Sequence, residues 1–533
     1  MGLLQNFRSR DFIEQTRTLN EIEKGNKSEE IPGLFDLHEN PLNDRAVDSM
    51  VIHTLRSLLS KNEEATVRGI SSEKSHVRKL CIHMAGENRF ASAGPVLMNL
   101  MQREKDQDAI FEILSSLSKI RVPESLDVFR KNARHPDQVI AALCVETLGL
   151  WEDMSSLGLF TEIIEEGGRE GKYEECDLLT WNAIKAVAAL RSDAGLALLT
   201  SKITHPGPGA RRIIHQELVE KGREAIPFLS SVFLEEDVDA RIHAAQLLGM
   251  IKDRKAGEVL IGALESGAAD HPNIKYNLYE SLGKLPIVKG IDYLLDALSK
   301  EDGLVLLAVV AAINNRVSSR ATEKLAELIT AGDERGEKII NAIVVSKALN
   351  IFEALYENKA VSEKLLVAIP RIKDPMIITA FRAKLKSMKT GVEMSDAVGE
   401  KIPTVLSRKA GKRILAVDDS RLMLFFYRTA ASKIGYDITT AINGHEAWDI
   451  LEKGEEYDLI VTDLNMPVMD GVEFTRKVRG HATLGKIPII MATTESKQSQ
   501  VDLAKKVGVS DFIQKPFTEE ALQKKVQALL TKP

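Results

Sequence analysis

The chain has 533 residues, 44% hydrophobic and 28% charged, the balance of a soluble globular protein with room for two to four domains. A net charge of −6 argues against bulk nucleic-acid binding. Three cysteines, Cys81, Cys144 and Cys176, lie far apart with no CxxC spacing, which predicts small buried side chains in a reducing compartment.

At the N-terminus no basic-then-apolar signal pattern is present, and Asn6 stands where a myristoylation signal takes Ser or Thr. The longest apolar run, Leu304 to Ile313, is too short to span a bilayer and reads as a buried helix. The expectation is a cytoplasmic protein without membrane insertion.

Residues 1–390 read as helix after helix, broken at Pro, Gly and Asp. In Asp237-Val238-Asp239-Ala240-Arg241-Ile242-His243-Ala244-Ala245-Gln246-Leu247-Leu248-Gly249, a polar N-cap opens a helix with small inner-face residues, and a second apolar helix follows at Ala256 to Leu264. The same phrase recurs from Val77 to Gly86, Asp137 to Gly149 and Asn273 to Gly283, with weaker copies that put Ser118, Ala188, Val219 and Asn314 at the Gly position. The markers 86, 118, 149, 188, 219, 249, 283 and 314 step by about thirty residues, with one longer step that contains the polar loop Glu165 to Lys172. Such a period is the signature of a solenoid, in which no helix pair buries its apolar face alone and neighbours stack.

The pattern around Asp237 resembles HEAT repeats, although Val238 and Arg241 stand only three apart; armadillo-like and other αα-superhelices share the shape. The resemblance implies an extended surface suited to binding another protein, with no chemistry of its own. Gly167-Gly168-Arg169-Glu170-Gly171-Lys172 fails as a phosphate loop, because Glu166 takes the first Gly position and Tyr173 follows the lysine. Gly207-Pro208-Gly209 reads as a helix breaker. His53 and His83 are the only hints of a phosphotransfer histidine, and no His/Cys cluster has metal-ligand spacing.

Residues 391–410 lose apolar periodicity and read as a linker, and the basic patch Arg408, Lys409, Lys412 and Arg413 around its junction with the next domain is suited to solubility or to docking on acidic helix ends. Residues 411–533 change to strand–helix alternation. Strands are predicted at Arg413–Val417, Asp437–Ala441, Leu459–Thr462, Pro488–Ala492 and Asp511–Gln514. Helices are predicted at Arg421–Lys433, Gly444–Lys453, Gly471–Arg479, Gln498–Val507 and Thr518–Leu530. Five βα units imply a flavodoxin-like, doubly wound parallel sheet of order 2-1-3-4-5.

Asp418-Asp419, Asp463, Thr493 and Lys515-Pro516 then stand at the C-terminal ends of strands one, three, four and five, where open α/β sheets bind ligands. Three converging carboxylates repel one another, and a hard divalent cation such as Mg²⁺ resolves that repulsion. Lys515 and Thr493 are placed to pair with phosphoryl oxygens.

This constellation resembles the receiver domain of two-component response regulators, in particular the single-domain chemotaxis type. The resemblance implies that Asp463 accepts a phosphoryl group from a histidine kinase. It implies Mg²⁺ held by Asp419, Asp463 and the backbone carbonyl of Asn465, with Asp418 acting through water. It further implies a switch pair of Thr493 and Phe512, a cis Lys515–Pro516 bond, and tuning of dephosphorylation by Asn465 and Glu495.

The output expected is a protein-binding helical array gated by the receiver, with an unknown partner on its surface and a phosphorylation-dependent dimer as a further candidate. Three alternatives stay open. One is a catalytic or phosphotransfer output in the array, through His53 or His83. Another is a scaffold with a constitutively bound receiver. The third, control through DNA, has no helix-turn-helix signal behind it.

Overall fold

The computed structural model describes residues 2–167, 176–235, 237–286, 289–372, 375–388, 412–466, 468–493, 502, 504–515 and 517–530. The predicted linker 391–410, most of the polar loop 165–172, Glu495, Pro516 and half of the predicted helix 498–507 lie outside them. Two compact units emerge: Met1–Glu166 with Asp177–Gly195, and Gly167–Cys176 with Leu196–Pro533. Among the described residues no helix is long and apolar enough to cross a membrane.

In the first unit the helices Ser75–Glu87, Gln107–Ile120, Gln138–Leu150 and Leu178–Ala189 pack in succession, each on the next. The second unit repeats the arrangement with Pro208–Lys221, Val238–Ile251, Pro272–Leu282, Gly303–Asn314 and Glu334–Val345. The helical repeats read from the sequence are therefore present. Polar caps start them as expected in two copies. Asp137 accepts from Val139 N and Ile140 N, and Asp237 from Asp239 N and Ala240 N. The other two copies start earlier than the phrase suggested. One begins at Ser75 with no side-chain cap; the other begins at Pro272, where His271 Nδ1 takes the cap bond from Asn273 N.

Small residues recur because neighbouring helices touch backbone to backbone. A Cβ added at Gly249 would lie 2.5 Å from Ser281 Oγ and 3.0 Å from its Cα, and one at Gly283 would lie 2.6 Å from Ala312 Cα. In the first unit Gly86 meets Ser116 and Gly149 meets Ala186 in the same way. In all four cases the partner sits two positions before the next marker, so each helix is offset by about half a turn against its successor. The apolar run Leu304 to Ile313 is, as expected, a buried helix. Gly207-Pro208-Gly209 differs from expectation. Gly207 caps and Pro208 opens the helix Pro208–Lys221, because proline's missing N–H is no loss in a first turn.

The C-terminal α/β domain carries five parallel strands: β1 (Arg413–Val417), β2 (Asp437–Ala441), β3 (Leu459–Asp463), β4 (Ile489–Thr493) and β5 (Asp511–Gln514). Their order is β2-β1-β3-β4-β5, as predicted. β4 begins one residue later than expected, since Pro488 offers only its carbonyl, to Ile460 N. β3 and β4 each run one residue further, so Asp463 and Thr493 are the last residues of their strands.

Leu415, Val417, Ile460 and Ile489 pack with Trp448, Leu451, Phe474 and Val478 from the helices Gly444–Glu452 and Gly471–Gly480. Ile414 and Val461 face Tyr427, Leu522 and Val526 from Arg421–Lys433 and Glu519–Leu530. Alternate residues thus point to opposite helical layers. Of the basic patch, Lys412 pairs with Asp458 at 2.8 Å and Arg413 with Glu455 at 2.6 Å, both within the domain.

The close helix contacts give a test. Gly249→Ala is expected to lower stability by about 1–3 kcal/mol, because the added methyl meets the Ser281 backbone. Gly262→Ala, on the helix Arg254–Glu265 with open space beside it, is expected to raise stability by about 0.5–1 kcal/mol. Urea unfolding of both variants checks the difference in sign.

Candidate functional site

Parallel register brings the predicted site residues to one sheet edge. Val417 pairs with Thr462, Asp463 with Ala492 and Thr493 with Gln514, so the residues that follow or end these strands emerge together. Asp418, Asp463, Thr493 and Lys515 are all buried. Asp419 is exposed, and one carboxylate oxygen from each of Asp418, Asp419 and Asp463 lies within 4.8 Å of the others.

Lys515 holds this cluster together. Its Nζ donates to Asp418 Oδ2 at 2.6 Å and to Asp463 Oδ1 at 2.7 Å. Asp418 also accepts from Ser420 N at 3.0 Å and from the Tyr427 hydroxyl at 3.2 Å. Burial pushes Asp463 up to about 7, against the Lys515 ammonium, which pulls it down. Burial works to lower Lys515, but Asp418 and Asp463 outweigh it and keep the ammonium well above its usual value. Asp419 is pushed well above the ordinary carboxylate range by loss of solvent and by the charges of Asp418, Asp463 and Glu280.

The loop after Asp463 returns tightly on the strand. Gly471 N donates to Leu464 O, and a Cβ at Gly471 would lie 2.0 Å from Asp463 O, so only glycine fits. Within that loop Val468 adopts φ 69°, a left-handed conformation that a β-branched residue rarely takes. Asp470 ends the loop as a buried N-cap, accepting from Val472 N and Glu473 N at 2.9 Å.

Two other predicted residues sit nearby. The carbonyl of Thr493 accepts from Lys515 N at 2.8 Å. Phe512, paired in register with Met491, is half-buried against Leu464, Val472 and Met491. The His residues named as phosphotransfer candidates lie elsewhere: His53 is exposed, 3.2 Å from Glu23, and His83 is 3.5 Å from Glu112.

The response regulator receiver domain family matches residues 414–527. A chemotaxis protein CheY homolog of Campylobacter jejuni is 40% identical over 119 residues, 22% of this chain and 92% of that protein. The chain belongs to the response regulator receiver family. CheY1 of Helicobacter pylori is also 40% identical over 119 residues, 22% of this chain and 96% of that protein. A solved structure of CheY4 from Vibrio cholerae is 37% identical and covers 22% of this chain and 99% of its own, with a TM-score of 0.22.

The acidic cluster of this receiver fits a hard divalent cation by its chemistry: three carboxylates converge, one of them open to solvent. Reading the sequence missed three side chains at the receiver site. Tyr427 stands nine residues after Asp418, on the inner face of a helix that was predicted, and its place among apolar positions was a usable signal. Arg211 donates to Asn465 Oδ1 at 2.6 Å, and Tyr276 lies 3.2 Å from Ser420. Both belong to the repeat helices, and no local pattern could have announced them.

Breaking the central ion pair gives the test. Lys515→Met, measured without divalent cations, is expected to cost about 3–5 kcal/mol, because two buried carboxylates lose their shared cation. The sign with pH follows. Carboxyls whose folded pKa is raised contribute stability at low pH and lose it as pH rises through the raised value. Urea unfolding should therefore show a smaller deficit at about pH 5 than at about pH 8.

Proposed function

We propose that the protein is a phosphorelay response regulator in which Asp463 accepts a phosphoryl group from a histidine kinase and the helical repeats of residues 1–390 are the output. The observation that carries this reading is Lys515 bridging Asp418 and Asp463 inside an acidic triad at the sheet edge. In the transfer, the P–N bond of a phosphohistidine breaks, the imidazole leaves, and a P–O bond forms at an Asp463 carboxylate oxygen.

Asp418, Asp419 and Asp463, with the backbone carbonyl of Asn465, would hold Mg²⁺, which when bound neutralises charge on the phosphoryl oxygens. Lys515 would follow the charge from the carboxylate to the new phosphoryl oxygens, and the Thr493 hydroxyl would donate to them. The group adds roughly −1.5 to −2 charges at one buried point. A change at Thr493 and Phe512 then has a route outward, because Phe512 packs against the cluster of Leu464, Val472, Met491 and Ala504, and Leu464 directly follows Asp463. The reading assigns no turnover of a substrate beyond the protein's own phosphoryl uptake and loss. HEAT-type repeats, joined through a linker at 391–410 to the receiver at 411–533, would present the protein-binding surface.

Incubation with acetyl phosphate and Mg²⁺, followed by intact mass, tests the assignment. The wild type should gain one phosphoryl group, and Asp463→Asn should gain none. An equal gain in Asp463→Asn would place the acceptor elsewhere. Omitting Mg²⁺ should also abolish the gain.

A further inference from the structure

Two repeat helices lie directly on the loops that carry the acidic site, all within the compact unit that contains Leu196–Pro533. From the helix Pro208–Lys221, Arg211 is only 3% exposed. Its Nη1 donates to His205 O at 3.0 Å and its Nη2 to Asn465 Oδ1 at 2.6 Å, two residues beyond Asp463. The next residue, Arg212, donates to Val468 O at 3.1 Å and lies 3.3 Å from Glu473 Oε2. It therefore clamps the strained turn of the same loop.

From the helix Pro272–Leu282, Tyr276 is 6% exposed and its hydroxyl is 3.2 Å from Ser420 Oγ, next to Asp419. One turn further on, Glu280 adds its negative charge to those acting on Asp419. The receiver helix Arg421–Lys433 also packs on the repeat helices Gly303–Asn314 and Glu334–Val345. Two of the loops that border the crevice, those after Asp418 and Asp463, are thus occupied from the repeat side, while Asp419 stays open to solvent.

We propose that the repeat helices Pro208–Lys221 and Pro272–Leu282 form an intramolecular cap that leaves the crevice open to ions and small phosphodonors but occupies the surface a phosphohistidine-bearing protein needs. The partner of this receiver surface is the chain's own repeat array. Transfer from a kinase then requires the cap to open. By linkage, whatever engages the crevice better in the open state also favours that state. Arg211 has no need of a phosphoryl group to stay in place, since both of its terminal nitrogens already hold an acceptor. The proposal rests on the phosphoacceptor reading above.

The test uses the full chain and the Arg212–Glu473 pair, which lies outside the acidic cluster. Arg212→Glu removes the clamp and sets two like charges together; Arg212→Glu with Glu473→Arg restores opposite charges. Phosphoryl uptake is measured from acetyl phosphate and from a phosphorylated histidine phosphotransfer domain. Hydrogen exchange is followed over residues 418–423 and 464–473.

Arg212→Glu is expected to speed uptake from the phosphoprotein roughly fivefold, to change uptake from acetyl phosphate by less than about twofold, and to raise exchange in both segments. The double variant should return towards wild type. Unchanged exchange in Arg212→Glu, or a phosphoprotein rate equal to wild type, overturns the cap and favours a permanently bound receiver. Uptake by Asp463→Asn from either donor would instead overturn the phosphoacceptor reading.

Discussion

A single ammonium group lies 2.6 Å from one buried carboxylate and 2.7 Å from another, and much of the receiver's geometry serves that contact. Two carboxylates side by side in a low-dielectric interior repel strongly, and neither is tolerated there without a cation or hydrogen-bond donors. Lys515 supplies the cation from the end of β5, which lies two places from β3 and three from β1 in the sheet. Only a long side chain has that reach, and the four-carbon stem of lysine provides it. The contact in turn requires that β1, β3 and β5 finish at one edge, which parallel register ensures.

The same demand for close approach recurs at two scales. In the repeats, Gly249 and Gly283 let one helix backbone rest on the next, so helices bury their inner faces without large side chains. In the receiver, Gly471 lets the loop after Asp463 fold back onto the end of β3. That return fixes Asn465 and Val468 near the crevice. It also presents a carbonyl and an amide oxygen outward, and Arg211 and Arg212 take both.

The loop after Asp463 therefore has two masters. One end belongs to the acidic cluster, through the strand that carries Asp463. The other is held by arginines from a helix more than two hundred residues earlier in the chain. The left-handed Val468 between them stores strain of the kind that persists only where surrounding contacts over-determine it. Under the proposed phosphorylation, charge added at Asp463 and movement of the repeat helices would act on one short segment, which would be the physical basis for coupling the two.

Local chemistry was legible from sequence wherever it repeats or alternates. The thirty-residue phrase, the five βα units and the charged residues at the strand ends all follow from short-range rules of helix, strand and turn, and the structure bears out the repeats and the sheet order. Asp418, Asp419, Asp463, Thr493 and Lys515 could be named because strand ends are visible in the hydrophobic pattern. Which helix lies on which loop is not written in any local pattern. Arg211 and Tyr276 look like ordinary residues of amphipathic helices, and their contacts with Asn465 and Ser420 depend on how the repeats stack and return to the receiver. Local periodicity determines the elements and the acidic edge; only long-range packing decides what covers that edge, because side chains separated by some 250 positions meet through the sum of many helix–helix offsets and not through any one of them.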